Sequence, residues 1–335
     1  MSVNKLRVLA LVHRHLIPPD TVEEGTDITA VPWRTEYDVI STLRGLGHEV
    51  QPLGVHDDLG EIRRLATEWK PHIAFNLLEA FDDITIFDQN VVSHLELLKL
   101  SYTGCNPRGL LLARDKSLSK KLLAYHRIPV PEFEVFRAGR PIRRPKRLEF
   151  PLIVKSLTQE ASIGISQASV VDTDDKLKER VTFIHESIGT AAIAERYVDG
   201  RELYVGILGN QALQALPVWE LFFTNMPEGT KRIATDRVKW SVKYQKKYGI
   251  DSGPAKDLPD AQAEEIQHIC KRAYRALELS GYARIDLRLD EAGHVWVLEA
   301  NPNPQIAKGE DFAASAEKIG ISYEAVLQRI LNLGV

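Results

Sequence analysis

Cysteine is almost absent, with two residues in 335, Cys105 and Cys270, far apart and in dissimilar surroundings. That excludes a disulfide framework and a cysteine-ligated zinc centre, and the plain expectation is a reducing, cytoplasmic setting. Neither sign of charge is in surplus: 43 Lys+Arg stand against 46 Asp+Glu, a net charge of -3. A dedicated nucleic-acid or membrane-surface binder needs a basic excess, so neither partner is expected. No uninterrupted apolar run approaches the roughly 20 residues that span a bilayer. The first apolar run, 6–12, is cut short by His13, Arg14 and His15 with no small-residue cleavage site after it, and is expected to be a strand. No G-x-G-x-x-G follows that strand, which sets aside a nicotinamide enzyme. His48, His72 and His294 stand singly, without metal-ligand spacing.

What is present is ordinary globular sequence, 44% apolar, with enough chain for two or three small domains. Residues 6–104 alternate short apolar runs with helical periodicity: strands at 7–12, 48–55 and 72–77, helices at 37–46, 59–69 and 88–100. That order predicts an α/β layer with Gly47 capping the first helix. A helix is predicted at 115–126 and a solvated basic loop through 137–147, whose charges carry no interleaved aromatics. Strands are expected at 150–154, 192–198, 202–208 and 212–218. The polar stretch 224–257 lacks clear periodicity and suits a lid. A helix at 261–279 follows, with Cys270 on its apolar face and hence in the core.

The chemistry concentrates in 282–303, YARIDLRLDEAGHVWVLEANPN. Alternation puts Ala283, Ile285, Leu287 and Leu289 on one face and Arg284, Asp286 and Arg288 on the other, and a short turn brings back Glu299 and Asn301. If the register sets Asp286 near Glu299, two carboxylates and an amide oxygen converge beside an arginine, a donor set suited to Mg²⁺. A solvent-facing polar hairpin is the alternative. It is weakened by Val297 and Leu298, which make the returning strand apolar on both faces, as at a sheet centre. PLIVK at 151–155 is an apolar strand ending in Lys155, EASIG at 160–164 is a small turn able to present backbone N–H groups to phosphate, and Lys116 opens a helix.

These elements, with AERYVDGRELYVGIL at 194–208, RIDLRLD at 284–290 and VLEANPNP at 297–304, resemble in order and spacing the ATP-grasp superfamily, most of all its D-alanine:D-alanine ligase branch. FNLLEAFDD at 75–83 and SYTGCNPRGLLLARDKSLSKKLL at 101–123 are similar to the end of that branch's first domain, so the resemblance spans essentially the whole chain. It implies an N-terminal α/β (pre-ATP-grasp) domain, 1–114, followed by two α+β domains enclosing the nucleotide, 115–192 and 193–335, with the lid at 224–257.

By the same resemblance Lys116 and Lys155 contact nucleotide phosphates. Glu195, Arg196, Tyr197 and Val198 form the adenine hinge and Glu202 meets the ribose. Asp286, Glu299 and Asn301 hold Mg²⁺ (or Mn²⁺), and Arg284 stabilises the transferring phosphoryl group. YQKKY at 244–248 is similar to the lid motif, with Lys247 on the γ-phosphate and Tyr248 closing over the substrates, whereas Lys239 and Lys243 read as exposed charges. Ser162 matches the serine of the phosphate-covering turn, and Glu36, in TEYDV, the glutamate for the first substrate's ammonium. The implied activity is an ATP-dependent ligase joining a carboxylate to an amine through an acyl phosphate, in a homodimer. An ATP-binding regulatory protein or a small-molecule kinase are the alternatives on this fold. The sequence departs from the branch after NPNP, where Gln305, Ile306, Ala307, Lys308, Gly309, Glu310 and Asp311 replace the usual glycine and hydroxyl residue, so D-alanine twice over is not expected. Glu310 and Asp311 suggest an amine bearing positive charge.

Overall fold

A computed structural model describes residues 5–159 and 162–334. Glu160 and Ala161, the first two residues of the expected phosphate-covering turn, lie outside the described residues.

Three sheets organise the chain. Strand Arg7–His13 is the centre of the first, paired in parallel with Glu49–Val55 on one side and Ile73–Asn76 on the other. Its apolar run is buried on both faces, as a parallel central strand must be. Val8, Ala10 and Val12 pack with helices Arg34–Gly45 and Tyr323–Gly334, while Leu9 and Leu11 face helices Gly60–Glu68 and Asp88–Leu97. The first helix starts three residues before the periodic stretch 37–46, because Arg34, Thr35 and Glu36 supply a polar first turn. Gly47 sits past its end at φ +91°, where its N–H reaches the Arg44 carbonyl. Pro107 opens a helix, Pro107–Arg114, that periodicity did not reveal. Proline is tolerated there at the first helical position, and Asn106 caps it.

The second sheet has the order Phe133–Phe136, Ala192–Arg196, Leu152–Ser156, Val170–Val171. The basic loop between its strands Phe133–Phe136 and Leu152–Ser156 is solvated as expected, Arg144 pairing with Asp174 and Arg147 with Glu134.

The third sheet runs Ile250–Pro254, Trp219–Phe223, Arg201–Leu208, Tyr282–Leu289, Val295–Pro302, with Gln214–Ala215 added to Arg201–Leu208. Of the strand expected at 212–218 only Gln214–Ala215 forms, and the longer strand lies just beyond, at Trp219–Phe223. Helix Asp260–Ala276 covers this sheet with Ile266, Ile269, Cys270 and Ala273, so Cys270 is core. The stretch 224–257 is not irregular throughout. It holds two short helices, Asp236–Trp240 and Val242–Tyr248, capped by Thr235 and Ser241, and the edge strand Ile250–Pro254. Helices this short carry too few apolar repeats to show as periodicity.

Candidate active site

The hairpin forms in the expected register: Asp286 faces Glu299 across the ladder and Arg284 faces Asn301. It is helped by an irregularity the sequence did not disclose. The ladder slips between Asp286 and Leu287, so that Leu287 pairs with Val297 and Leu298 is the extra residue of a β-bulge. Val295 and Val297 point to the core, and after the bulge Ala300 does so. Strict alternation would have put Glu299 on the core side with Val297; the bulge turns it to the other face. The freed Leu298 carbonyl accepts from Lys120 Nζ at 2.9 Å. Contrary to the sequence reading, Val295–Pro302 is an edge strand, not a central one. Its two-sided apolarity comes from helices packed on it, and Val297 N–H is taken by the Pro129 carbonyl.

Between the second and third sheets opens a cleft of about 790 Å³, mouth included. Lys116, Lys155, Ser162, Glu195, Arg196, Tyr197, Val198, Glu202, Asp286 and Glu299 all line it. Strand Leu152–Ser156 delivers Lys155, and its neighbour Ala192–Arg196 delivers Glu195 opposite Ile153. Lys116 begins helix Lys116–Tyr125; its Nζ donates to the Gln159 carbonyl at 2.7 Å and stands 3.7 Å from Glu299.

A buried triad spans the cleft floor, Lys155 and Glu195 lining it with Lys120 behind them. Glu195, 1% exposed, is 3.3 Å from Lys155 Nζ and 3.4 Å from Lys120 Nζ, and Lys120 is also 1% exposed. Burial alone would push the Glu195 carboxyl up, yet the two lysines hold it below its ordinary value. Burial likewise opposes the Lys155 ammonium, and Glu195 and Glu299 keep it charged. Lys120 is lowered, by burial and by Lys155. For Glu299, burial is outweighed by Lys116, Lys155, Lys239 and Arg284, and its pKa falls to about 2. Asp286 is raised, burial and Glu299 prevailing over Arg284.

Arg284 holds Asp286 by two bonds of 2.7 and 2.9 Å, with its guanidinium 4.6 Å from the Tyr204 ring centre. Asn301 keeps a buried amide nitrogen with no partner. Glu202 accepts from Tyr204 Oη (3.0 Å) and Arg288 (2.5 Å). Arg196 stacks on Trp296 at 4.3 Å, and Tyr197 donates to Asp199 at 3.3 Å. Ser162, at φ +62°, donates to the Ala234 carbonyl at 2.6 Å and so fastens the turn to the lid segment.

Lys239 is corrected. It is half-buried and lines the cleft, because helix Asp236–Trp240 turns it toward Asp286 and Glu299. Lys243 is exposed, as expected. Lys247 is exposed beside the Tyr248 ring at 4.9 Å, and Tyr248 pairs with Tyr244; neither Lys247 nor Tyr248 lines the cleft.

Glu36 is apart from this cluster, in the first turn of helix Arg34–Gly45. It is buried, its Oε2 has no hydrogen-bond partner, and burial, with Glu79 adding to it, pushes its pKa up to about 7. The acidic pair after the hairpin is not free for a cationic substrate: Glu310 is held by Arg34 at 2.7 Å, and Asp311 accepts from Ser252 at 2.5 Å. Lys120, Arg288 and Arg180 were missed. Arg180 bonds the Gly164 carbonyl and lies 4.3 Å over Phe183. Only Arg288 left a signal, sharing the alternating face with Arg284 and Asp286.

The family model for the C-terminal part of D-Ala–D-Ala ligase matches residues 122–332. A D-alanine–D-alanine ligase of Bordetella petrii is 35% identical over 252 residues, 73% of this chain and 71% of its own. The uncharacterized protein y4sG of Sinorhizobium fredii is 30% identical over 312 residues, 90% of this chain and 88% of its own. In fold, the D-alanine–D-alanine ligase of Bacillus anthracis in complex with ATP superposes with a TM-score of 0.74 at 20% identity, covering 98% of this chain and 97% of that one. Among the described residues no helix is long and apolar enough to cross a membrane. The chain therefore belongs to the D-alanine–D-alanine ligase family, and with it to the ATP- and Mg²⁺-dependent, ADP-forming carbon–nitrogen ligases of the ATP-grasp fold.

Proposed function

We propose that the chain activates the carboxylate of an amino-acid-like substrate as an acyl phosphate and joins it to an amine. The observation that carries this is the convergence of Lys116, Lys155 and Lys239 with Asp286 and Glu299 in one cleft. Phosphoryl transfer asks for positioning and charge neutralisation, and this lining offers both. In this reading Lys116 and Lys155 hold the nucleotide phosphates. Glu195, Arg196, Tyr197 and Val198 frame the adenine, and Glu202 takes the ribose. Arg284 faces the charge that develops on the phosphoryl group, and Ser162 keeps the covering turn against the lid. Lys247 and Tyr248 would close over the substrates after lid movement, whereas Lys239 already faces the carboxylates.

The donor set fits a divalent cation. Asp286, Glu299 and Asn301 offer hard oxygen ligands, Asn301 through its Oδ1, and its buried, partnerless Nδ2 is a donor that a phosphate oxygen beside the cation would satisfy. Mg²⁺ held there would neutralise phosphate oxygens; without it Arg284 is the cation bonded to Asp286, with Lys239 farther off. Glu36, buried and with a partnerless Oε2, suits the ammonium of the first substrate.

The finer part of the proposal is that the pair is not D-alanine twice. It is supported by the Gln305–Asp311 segment, which lacks the hydroxyl residue and is strapped to the first helix: Arg34 binds Glu310 and the Lys308 carbonyl, and Asp38 accepts from Lys308 N–H. We take the chain as a homodimer with units 1–114, 115–192 and 193–335.

The test is ADP and phosphate release with Mg²⁺ and ATP over pairs of L- and D-amino acids and amines, with mass analysis of products. Release requiring two substrates, with an amide product and equimolar phosphate, is expected. A dipeptide from D-alanine alone would overturn the finer part, and a stable phosphorylated product would establish a kinase instead.

A further inference from the structure

The N-terminal sheet carries a cluster that the ligase chemistry leaves unused. His13 ends the central strand, His56 follows strand Glu49–Val55, and Asp83 sits in the loop after Ile73–Asn76. All three stand at or just past the carboxyl ends of parallel strands, where open α/β sheets bind ligands. One ligand atom from each lies within 4.8 Å of the others, the one such group of histidine, cysteine and carboxylate residues among those described. We propose that His13, His56 and Asp83 bind a first-row transition-metal dication of the Zn²⁺ class, with a fourth position left to water.

The distances carry this. Two ligands about 2.1 Å from a tetrahedral Zn²⁺ stand about 3.4 Å from one another. Asp83 Oδ1 is 3.5 Å from His13 Nε2 and its Oδ2 is 3.2 Å from His56 Nε2, so the carboxylate spans both rings. With one atom taken from each residue all three lie within 4.8 Å, a set that a small contraction brings to a metal. Imidazole nitrogens with one carboxylate select Zn²⁺ and its neighbours over Mg²⁺ or Ca²⁺.

The site is also built rather than incidental. Asp82 and Asp83 both adopt positive φ, +53° and +56°, in a tight turn closed by the Phe81–Ile84 bridge. Asp82 N–H donates to the His56 carbonyl at 2.7 Å, which pins the turn to the strand end bearing the imidazole. Behind His56, Nδ1 is buried without a hydrogen-bond partner and lies 3.5 Å from Asp57 Oδ1. A small shift of that carboxylate would let it accept the Nδ1 proton while Nε2 faces the metal, the arrangement that fixes the tautomer of a ligating histidine. His13 Nδ1 accepts a 3.4 Å contact from the His15 amide, which is given up when Nδ1 takes the proton and Nε2 the metal. Asp83, 76% exposed, leaves a way in from solvent.

The test uses the untagged full chain, stripped with chelator and titrated with buffered Zn²⁺ by calorimetry, with bound metal counted after dialysis. One Zn²⁺ per chain is expected, held at least tenfold more tightly than by the His13→Ala/Asp83→Ala double variant. Co²⁺ in its place should give the visible absorption of a four-coordinate site. His56→Gln, whose unchanged circular dichroism and nucleotide binding certify its fold, should lose both signals. Wild-type stoichiometry and affinity in the folded variants would place the metal on other histidines and overturn the proposal, as would wild-type binding no tighter than the double variant's. Neither outcome bears on the ligase reading, which involves none of these residues.

Discussion

Glu36 shows what a buried carboxylate costs when no cation faces it and one of its oxygens has no hydrogen-bond partner. Its folded pKa of about 7 lies above the ordinary 4.5, with burial as the first cause. A raised acid contributes its stability below the unfolded pKa and loses it as pH climbs through the folded one. The span from 4.5 to about 7 corresponds to about 3 kcal/mol, an upper bound for a group that relaxes on charging. Glu36→Gln should therefore be more stable than the wild type at pH 8, by up to about 3 kcal/mol, and match it below pH 4.5 in denaturant unfolding. Equal stability at both pH values would mean that Glu36 has a partner when charged. Glu299 has the opposite sign: held at about 2, it stabilises above the unfolded value and loses that as pH falls through about 2. Glu195→Gln would leave Lys120 and Lys155 with a neutral partner. Breaking such a buried set costs about 3–5 kcal/mol, which a fall in the denaturant midpoint would report.

At the scale of elements, the hairpin was legible because a period of two needs only seven or eight residues to declare itself. Arg284 and Asp286 were placed by alternation alone. The bulge at Leu298 was not, since it is fixed by distant partners: Lys120 Nζ donates to the Leu298 carbonyl, and the Pro129 carbonyl accepts from Val297 N–H. The lid failed for a related reason. Two helices of five and seven residues are held by Thr235 and Ser241 caps rather than by an apolar stripe, so Lys239 passed for a surface charge. The two lid lysines make a test. In steady-state ADP release, Lys239→Ala should lower kcat by about 100-fold, the scale of a lost electrostatic contact to a transferring group. Lys247→Ala, exposed in this conformation, should act mainly once substrates close the lid. An unchanged rate in Lys239→Ala would return the role to Lys247.

For the whole molecule, the pairing of first and last elements was beyond sequence reading. Helix Tyr323–Gly334 sits on the first sheet, with Val326, Leu327, Ile330 and Leu331 fully buried against the face bearing Val8, Ala10 and Val12. At roughly 1.5–3 kcal/mol per buried side chain, removing that helix costs about as much as a domain's whole stability. A chain ending at 321 should lose its cooperative unfolding transition. The cleft couples the other two sheets in the same way, because Lys155 and Glu195 belong to one and Asp286 and Glu202 to the other. A ligand touching both stabilises both by mass action, about 2.7 kcal/mol at a hundredfold excess over its Kd. MgATP should raise the melting temperature of the wild type and slow proteolysis within 224–257. Lys155→Met should show a far smaller rise at the same ATP concentration while keeping its circular dichroism. A full shift in that variant would remove Lys155 from the nucleotide site and leave its place with Glu195 as purely structural.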